Sequence, residues 1–223
     1  MIPLQGFAPD VDPNTPGALV DCEQVIPYES GLKGAPSCVS VGVSALAATC
    51  VGSASVSDLS GNRRLYAGTA ANLYEQTGTG WTSRSGSTYT LGADDRWSFI
   101  QYASATLAVT PTLTVQRSTG GAFASVAGSP QAKIIEAASG FALAFNTSTS
   151  ADEWYCSAYL DDTDWALSVA TQCVKGRLIG GSGPITAAKR FGDDVAAYKG
   201  GTMFIGRHVG APDAWRWTQV STD

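Results

Sequence analysis

His208 is the only histidine in the chain, so a hydrolytic mechanism that needs an imidazole base would have to use it. It lies in the strand-like stretch FIGRHVG, and no G-x-S-x-G nucleophile elbow occurs in the sequence. We therefore expect His208 to be a structural or surface residue. A pair of carboxylates for glycoside cleavage cannot be chosen from sequence, because their separation is a property of the folded chain. No catalytic residue is predicted, and the chain is expected not to be an enzyme.

Three acidic clusters have the oxygen ligands that calcium prefers. They are Asp94 with Asp95, Asp161 and Asp162 with Asp164, and Asp193 with Asp194. Aspartate is also a common turn former, because its side chain accepts hydrogen bonds from nearby backbone, and we favour that interpretation. The sequence therefore predicts no metal site and no cofactor.

The sequence has five cysteines and no CxxC pair. Because five is an odd number, at least one of them has no partner for a disulfide within the chain. This number is too small for a disulfide framework in a chain of 223 residues, and the spacing matches no zinc site. Buried, reduced thiols are the expected state. Cys156 with Cys173 is the one pair that merits a test.

The strongest pattern in the sequence is a repeated block: a strand, a small-residue turn, a second strand and a turn ending on an aromatic residue. The copies read LYAGTAANLYEQTGTGW, LAVTPTLTVQRSTGGAF and FALAFNTSTSADEWYCSAYLDDTDW, with a looser fourth copy from Ile185 to Trp217. Trp81, Phe123 and Trp165 end the first three copies at intervals of 42 residues. A period of about 40 to 45 residues with strand pairs inside it is typical of propeller blades.

The composition favours the same fold class, because 25 glycines and only 15% charged residues leave few candidates for amphipathic helices. We predict an all-β fold of about four antiparallel, propeller-like blades at residues 56–223, with an insertion at the Gly180–Gly183 linker. The array could be incomplete. Trp81, Phe123, Trp165 and Trp217 are the predicted wedges between blades, since large aromatic rings fill such interfaces.

Residues 1–55 are predicted to form an extended docking arm. Six of the ten prolines lie in the first 36 residues, and proline fixes φ and lacks an N–H group. The same stretch has too many apolar residues for a solvated tail, so we expect it to dock on its own propeller or on a neighbouring subunit. The residues predicted to dock between subunits are Pro3, Leu4, Phe7, Pro9, Pro16, Val25, Ile26 and Tyr28.

The net charge of −5 argues against a reader of DNA, which needs a basic surface to bind phosphates. A neutral or acidic wall past which DNA slides remains compatible with this charge. The N-terminus has no signal-peptide pattern, and no window is apolar for long enough to cross a bilayer. We expect synthesis in a cytoplasm and no membrane span.

Several motifs together resemble the propeller-bearing tail nozzle or hub proteins of short-tailed bacteriophages. They are PDVDPNTPGALVDCEQVIPYESGLKGAPS, RRLYAGTAANLYE, GWTSRS, DDRWSFIQYASATLAVT, AFASVAGSPQAKIIE, WYCSAYLDDTDW and VAAYKGGTMFIG. The resemblance spans almost the whole chain and rests on the order of the motifs. It implies a virion structural protein of the tail, assembled in the host cytoplasm.

The resemblance further implies a homo-oligomeric ring, usually of six copies, that contacts the portal, an adaptor or other tail proteins. Genome DNA would leave through its channel without sequence-specific binding. The chain departs from these relatives at its C-terminus, where they generally run much longer. The alternative is a phage receptor-binding or glycan-processing propeller module, favoured by the aromatic residues and by the turns TGTGW and STGGAF. The aspartate of the sialidase turn motif is missing from both turns.

Overall fold

The computed structural model describes residues 6–7, 12, 15, 18–19, 25–28, 31–35 and 42–220. Within these ranges the regular structure is entirely β, and no helix occurs. The all-β prediction is therefore confirmed. The chain divides into two compact units, Met1–Val43 and Ser44–Asp223. Residue 55, where the sequence predicted the boundary, lies inside the strand Gly52–Ser57. The small residues of GSASVS gave no clear signal for this first strand of the repeat domain.

The described residues of the first unit include four short strands. Strand β1 (Gly6–Phe7) pairs in parallel with β2 (Ala18–Leu19), and β3 (Val25–Tyr28) forms a hairpin with β4 (Gly31–Gly34). Residues 42–51 form neither a strand nor a helix.

The second unit consists of four antiparallel sheets of four strands, which we call blades 1 to 4. Blade 1 contains β5 (Gly52–Ser57), β6 (Arg63–Gly68), β7 (Leu73–Thr77) and β8 (Gly80–Ser83). Blade 2 contains β9 (Ser98–Tyr102), β10 (Ala105–Thr110), β11 (Leu113–Ser118) and β12 (Ala124–Ser125). Blade 3 contains β13 (Ala132–Ala138), β14 (Phe141–Thr147), β15 (Glu153–Cys156) and β16 (Lys175–Arg177). Blade 4 contains β17 (Ala187–Phe191), β18 (Asp194–Lys199), β19 (Thr202–Gly210) and β20 (Ala214–Val220).

In every blade the strands follow each other in chain order, so each blade is a simple meander. The first strands of successive blades, β5, β9, β13 and β17, contact one another in that order. This is the propeller-like arrangement that the repeats predicted. The equal spacing of the aromatic residues does not measure blade length, however, because the blades begin at the unequally spaced residues Gly52, Ser98, Ala132 and Ala187.

Three apolar clusters join the four blades. The first joins blades 1 and 2, with Tyr66 and Leu73 against Ala108. The second joins blades 2 and 3, where Leu107 lies in the same cluster as Ala144. The third joins blades 3 and 4 and is the largest; its members include Phe141, Leu143, Phe145, Val195, Ala197 and Phe204. Among the described residues no cluster joins blade 4 to blade 1, so the four blades form an open series.

We call the face of a sheet toward the following blade the forward face and the face toward the preceding blade the rear face. Neighbouring residues of a strand point to opposite faces. In the second strands of blades 1 to 3 a large side chain on the forward face precedes an alanine on the rear face. These pairs are Tyr66 and Ala67, Leu107 and Ala108, and Leu143 and Ala144. Blade 4 does not repeat this pattern, because the residue before Ala197 is Ala196.

Candidate functional site

Two of the four predicted wedges are fully buried. Phe123 is inaccessible to solvent and makes an edge contact with Tyr66 at a ring-centroid distance of 5.3 Å. Trp165 is 2% exposed, and its ring meets Tyr155 edge to face at 5.7 Å. Both rings therefore lie at blade boundaries, in the positions that a wedge requires.

The other two are only half-buried. Trp217 packs against the cluster between blades 3 and 4, with ring-centroid distances of 5.7 Å to Phe145 and 5.5 Å to Trp154. Trp81 belongs to none of the three clusters in the described structure. It lies in β8, and the register of β6, β7 and β8 places it on the rear face of blade 1 with Ala67 and Tyr74 neighbouring it on that face. Its indole N–H donates to the Ser44 carbonyl at 2.9 Å.

Sequence reasoning missed Trp97 as a core residue, and it missed that Trp97 and the predicted wedge Trp217 both pack against glycines. A Cβ atom on Gly68 would approach the Trp97 ring to 2.1 Å, and one on Gly52 would approach the Trp97 carbonyl to 2.4 Å. In blade 4, Gly206 pairs with Trp217, and a Cβ there would lie 2.6 Å from the indole. Glycine within a strand commonly marks such a close approach. These glycines were therefore the sequence signal that could have identified the buried tryptophans.

Ion pairs reinforce the blades and one of their boundaries. Glu75 is buried and accepts hydrogen bonds from Arg64 at 2.7 Å and from Arg84 at 2.6 Å, all within blade 1. Arg117 of blade 2 donates to the Asp162 carboxylate at 2.6 Å, in the long loop between β15 and β16 of blade 3. The indole N–H of Trp165 donates to the Asp162 carbonyl at 3.0 Å within the same loop. Trp165 also lies in the apolar cluster with Leu107 of blade 2, so this loop is held to blade 2 by both packing and charge.

The catalytic and metal candidates have structural partners. His208 lies in β19 with its Nε2 3.0 Å from Oε1 of Gln172, and its ring stacks on Tyr159 at 5.9 Å. Asp161 accepts hydrogen bonds from the backbone N–H and hydroxyl of Thr163, and the side-chain bond is the main reason that its pKa is lowered. Asp95 accepts the Gly92 N–H at 2.9 Å. In the described ranges no group of three or more His, Cys, Asp or Glu side chains could hold a metal ion.

The described cysteines are free thiols. Cys156 and Cys173 are buried, and Cys50 is exposed. Burial raises the pKa of Cys156 to about 12 and that of Cys173 to about 11. The two buried groups are therefore protonated at neutral pH and poorly reactive.

A central cavity of about 470 Å³ lies between the first strands of the four blades. Ser55 and Ser57 line it from β5, Gln101 from β9, and Glu136 from β13. Glu136 forms an ion pair of 2.9 Å with Lys189 of β17, which links blades 3 and 4 across the cavity wall. The cavity is small and lined by both charges, so no single class of ligand is indicated by its walls.

The predicted docking arm can be followed only in part. Val25 is half-buried and Ile26 is 40% exposed. Phe7 and Tyr28 lie in strands β1 and β3, while Pro3, Leu4, Pro9 and Pro16 lie outside the described residues. The role of these residues between subunits stays a prediction. No helix in the described part of the chain is long and apolar enough to span a membrane.

The sequence matches no protein-family profile and no curated protein. A solved structure described as YCF48 bound to D1 peptide is similar in fold, with a TM-score of 0.43, 17% identity, and coverage of 76% of this chain and 55% of that chain. The WD40 domain of SCAP from fission yeast gives a TM-score of 0.28, 12% identity, and coverage of 76% and 34%. This chain thus spans about half the length of the first and a third of the second. At these TM-scores neither similarity supports a statement about partners or activity.

Proposed function

We propose that this chain is a structural protein of a bacteriophage virion, in the tail nozzle or head-to-tail region, whose copies assemble into a ring around the DNA exit channel. The observation that carries the proposal is the series of four blades joined by three apolar clusters, in which no cluster of described residues joins blade 4 to blade 1. A rigid blade series of this kind is suited to assembly with other chains. The motif resemblance given above supplies the phage context, the portal, adaptor or tail partners, and the location in the virion.

In this proposal the protein is a rigid structural component and catalyses no reaction. Its one histidine contacts an amide and aromatic rings. In the acidic clusters, Asp95 and Asp161 accept turn hydrogen bonds, and Asp162, Asp193 and Asp194 form ion pairs with arginines. The blades act as rigid spacers, and the N-terminal strands act as the docking arm. The net charge of −5 keeps the wall from retaining the phosphate backbone.

The test is direct imaging of the purified full chain. Negative-stain electron microscopy is expected to show closed rings with a central opening, and a duplex DNA binding assay at physiological salt is expected to show no retention. A monomeric chain that binds members of a glycan array, or that releases reducing sugar from a polysaccharide, would contradict the proposal and favour the glycan-processing alternative.

A further inference from the structure

A second cavity, of about 360 Å³, lies where segments of blades 2, 3 and 4 meet, and it shares no lining residue with the central cavity. Its apolar walls are formed by Pro111, Ile134, Pro184 and Ile185. They come from the turn between β10 and β11, from β13 and from the segment before β17. Ile185 is inaccessible to solvent and the rings of the two prolines fix their φ angles, so these walls are rigid. Small-molecule sites commonly have volumes of about 300–1,000 Å³.

One buried polar side chain lines this cavity. Asn146 is 8% exposed and has a left-handed backbone conformation, with a φ angle of 56°. Its side-chain N–H donates to the Ile185 carbonyl at 2.8 Å, which fixes the orientation of the amide. The amide oxygen has no hydrogen-bond partner among the described residues and is not cut off from solvent. It is therefore available to accept a hydrogen bond from an N–H group of a ligand.

Four charged side chains line the same cavity: Asp94, Asp95, Arg96 and Lys133. None of them forms an ion pair with another described residue. In the central cavity, by contrast, Glu136 and Lys189 neutralise each other at 2.9 Å. Charges of both signs therefore remain available to a ligand in the second cavity, whereas in the central cavity they are already paired.

The turn that presents three of these charges is held by its own hydrogen bonds. The Gly92 N–H donates to one oxygen of the Asp95 carboxylate at 2.9 Å. One nitrogen of the Arg96 guanidinium donates to the Ala93 carbonyl at 2.9 Å and to the Asp95 carbonyl at 2.8 Å. Arg96 keeps further N–H groups for a ligand. The charges are thus positioned before a ligand arrives, which lowers the entropic cost of binding.

We propose that this cavity binds a zwitterionic ligand with an apolar body, of the class of a free α-amino acid or a short peptide with free ends. A ligand with charge of only one sign would meet a like charge on the walls, and a zwitterion satisfies both signs. The carboxylate of the ligand is bound by Lys133 and Arg96, and its ammonium group by Asp94 and the amide oxygen of Asn146. The apolar body lies against Ile134. This inference goes beyond the proposed function and does not depend on it.

The experiment is isothermal titration calorimetry of the purified full chain with two probes, leucine and leucyl-leucine. At least one probe is expected to bind saturably, with one ligand per chain. Tighter binding of leucine identifies the ligand as a free amino acid, and tighter binding of leucyl-leucine identifies it as a peptide; either result supports the inference. The N-acetyl and C-amide derivatives of the better probe each lack one charge. Each is expected to bind about tenfold more weakly or worse, because a charge-assisted hydrogen bond is lost.

Two variants assign the charges to the ends of the ligand. Lys133→Gln is expected to weaken binding of the free probe about tenfold and to leave the C-amide derivative unaffected, since that derivative has no carboxylate. Asp94→Asn is expected to weaken the free probe and to leave the N-acetyl derivative unaffected. Both residues are exposed, so both variants should fold, as circular dichroism can check. Arg63→Gln and Asp213→Asn are the matched controls, because these residues are exposed and lie outside the cavity.

The absence of binding heat from both probes, together with an unshifted NMR signal of the Asn146 side-chain amide at millimolar probe, would overturn the inference. Equal affinity for the free and derivatised probes would also overturn it. The same holds if Lys133→Gln weakens the free and C-amide probes by the same factor. None of these results bears on ring formation, so a failure of this inference is distinguishable from a failure of the proposed function.

Discussion

Replacing Trp165 with alanine tests whether the buried aromatic residues hold the blades together. The side chain is 2% exposed, packs edge to face on Tyr155 and donates a hydrogen bond to the Asp162 carbonyl. Truncating a buried tryptophan costs about 3–5 kcal/mol through lost burial and the cavity left behind. At about 2–4 °C per kcal/mol for a domain of this size, the melting temperature should fall by about 6–20 °C.

Two further variants separate the sources of this loss. Trp165→Phe keeps an aromatic ring and removes the N–H donor, so its loss of stability should lie between those of the wild type and Trp165→Ala. Trp81→Ala is the matched control, because Trp81 is half-buried and its hydrogen bond to the Ser44 carbonyl contributes about 1 kcal/mol.

The assay is urea unfolding followed by far-ultraviolet circular dichroism, since removing a tryptophan alters the fluorescence signal itself. The free energy of unfolding should fall at a constant m-value, which would show that the unfolding transition still exposes the same surface. A Trp165→Ala variant that is no less stable than Trp81→Ala would refute the wedge assignment.

Three further predictions concern charges and thiols. Glu75→Gln should cost about 1–3 kcal/mol in urea unfolding and depend little on salt, because the variant leaves two arginines without their buried carboxylate; an unchanged midpoint would contradict this. Hydrogen bonds, chiefly from Arg177, lower the pKa of Asp152 to about 2 from 3.8, so this group stabilises the fold above about pH 4 and loses that contribution as the pH falls toward 2. Carboxyl NMR should show the Asp152 pKa rising in Arg177→Gln, and an unshifted titration would exclude the pairing. In native protein at pH 8 a thiol reagent should label Cys50 and spare Cys156, as peptide mapping can check, and equal labelling would show that the blade 3 core is open.

The strand pairs and the all-β class were predictable because alternation and turn residues are local signals. Leu65 to Glu75, for example, alternates around the turn that joins β6 and β7. Burial of Phe123 and Trp165 also followed from their places in the repeat. These features depend on a few neighbouring residues, and that is why a single sequence was sufficient.

The burial of two other tryptophans, Trp97 and Trp154, was not predictable from their spacing. Trp97 and Trp154 are buried because a glycine lies opposite each ring, on another strand or another segment of the chain, and the partner is set by register. Trp81 had the correct interval from Phe123 and yet belongs to none of the three interblade clusters of the described residues. Equal intervals in sequence therefore did not identify equivalent positions in the blades.

The outermost strands of the blades differ in length, and this difference determines where the molecule is vulnerable to misassembly. Strand β12 has two residues and β16 has three, so their outer edges offer little backbone to another chain. Strand β20 has seven residues with one charged side chain, Arg216, and no described strand pairs with its outer edge. Long storage at high concentration will therefore lose material first through strand addition at this edge, and a lysine placed along it is the natural means of improving solubility.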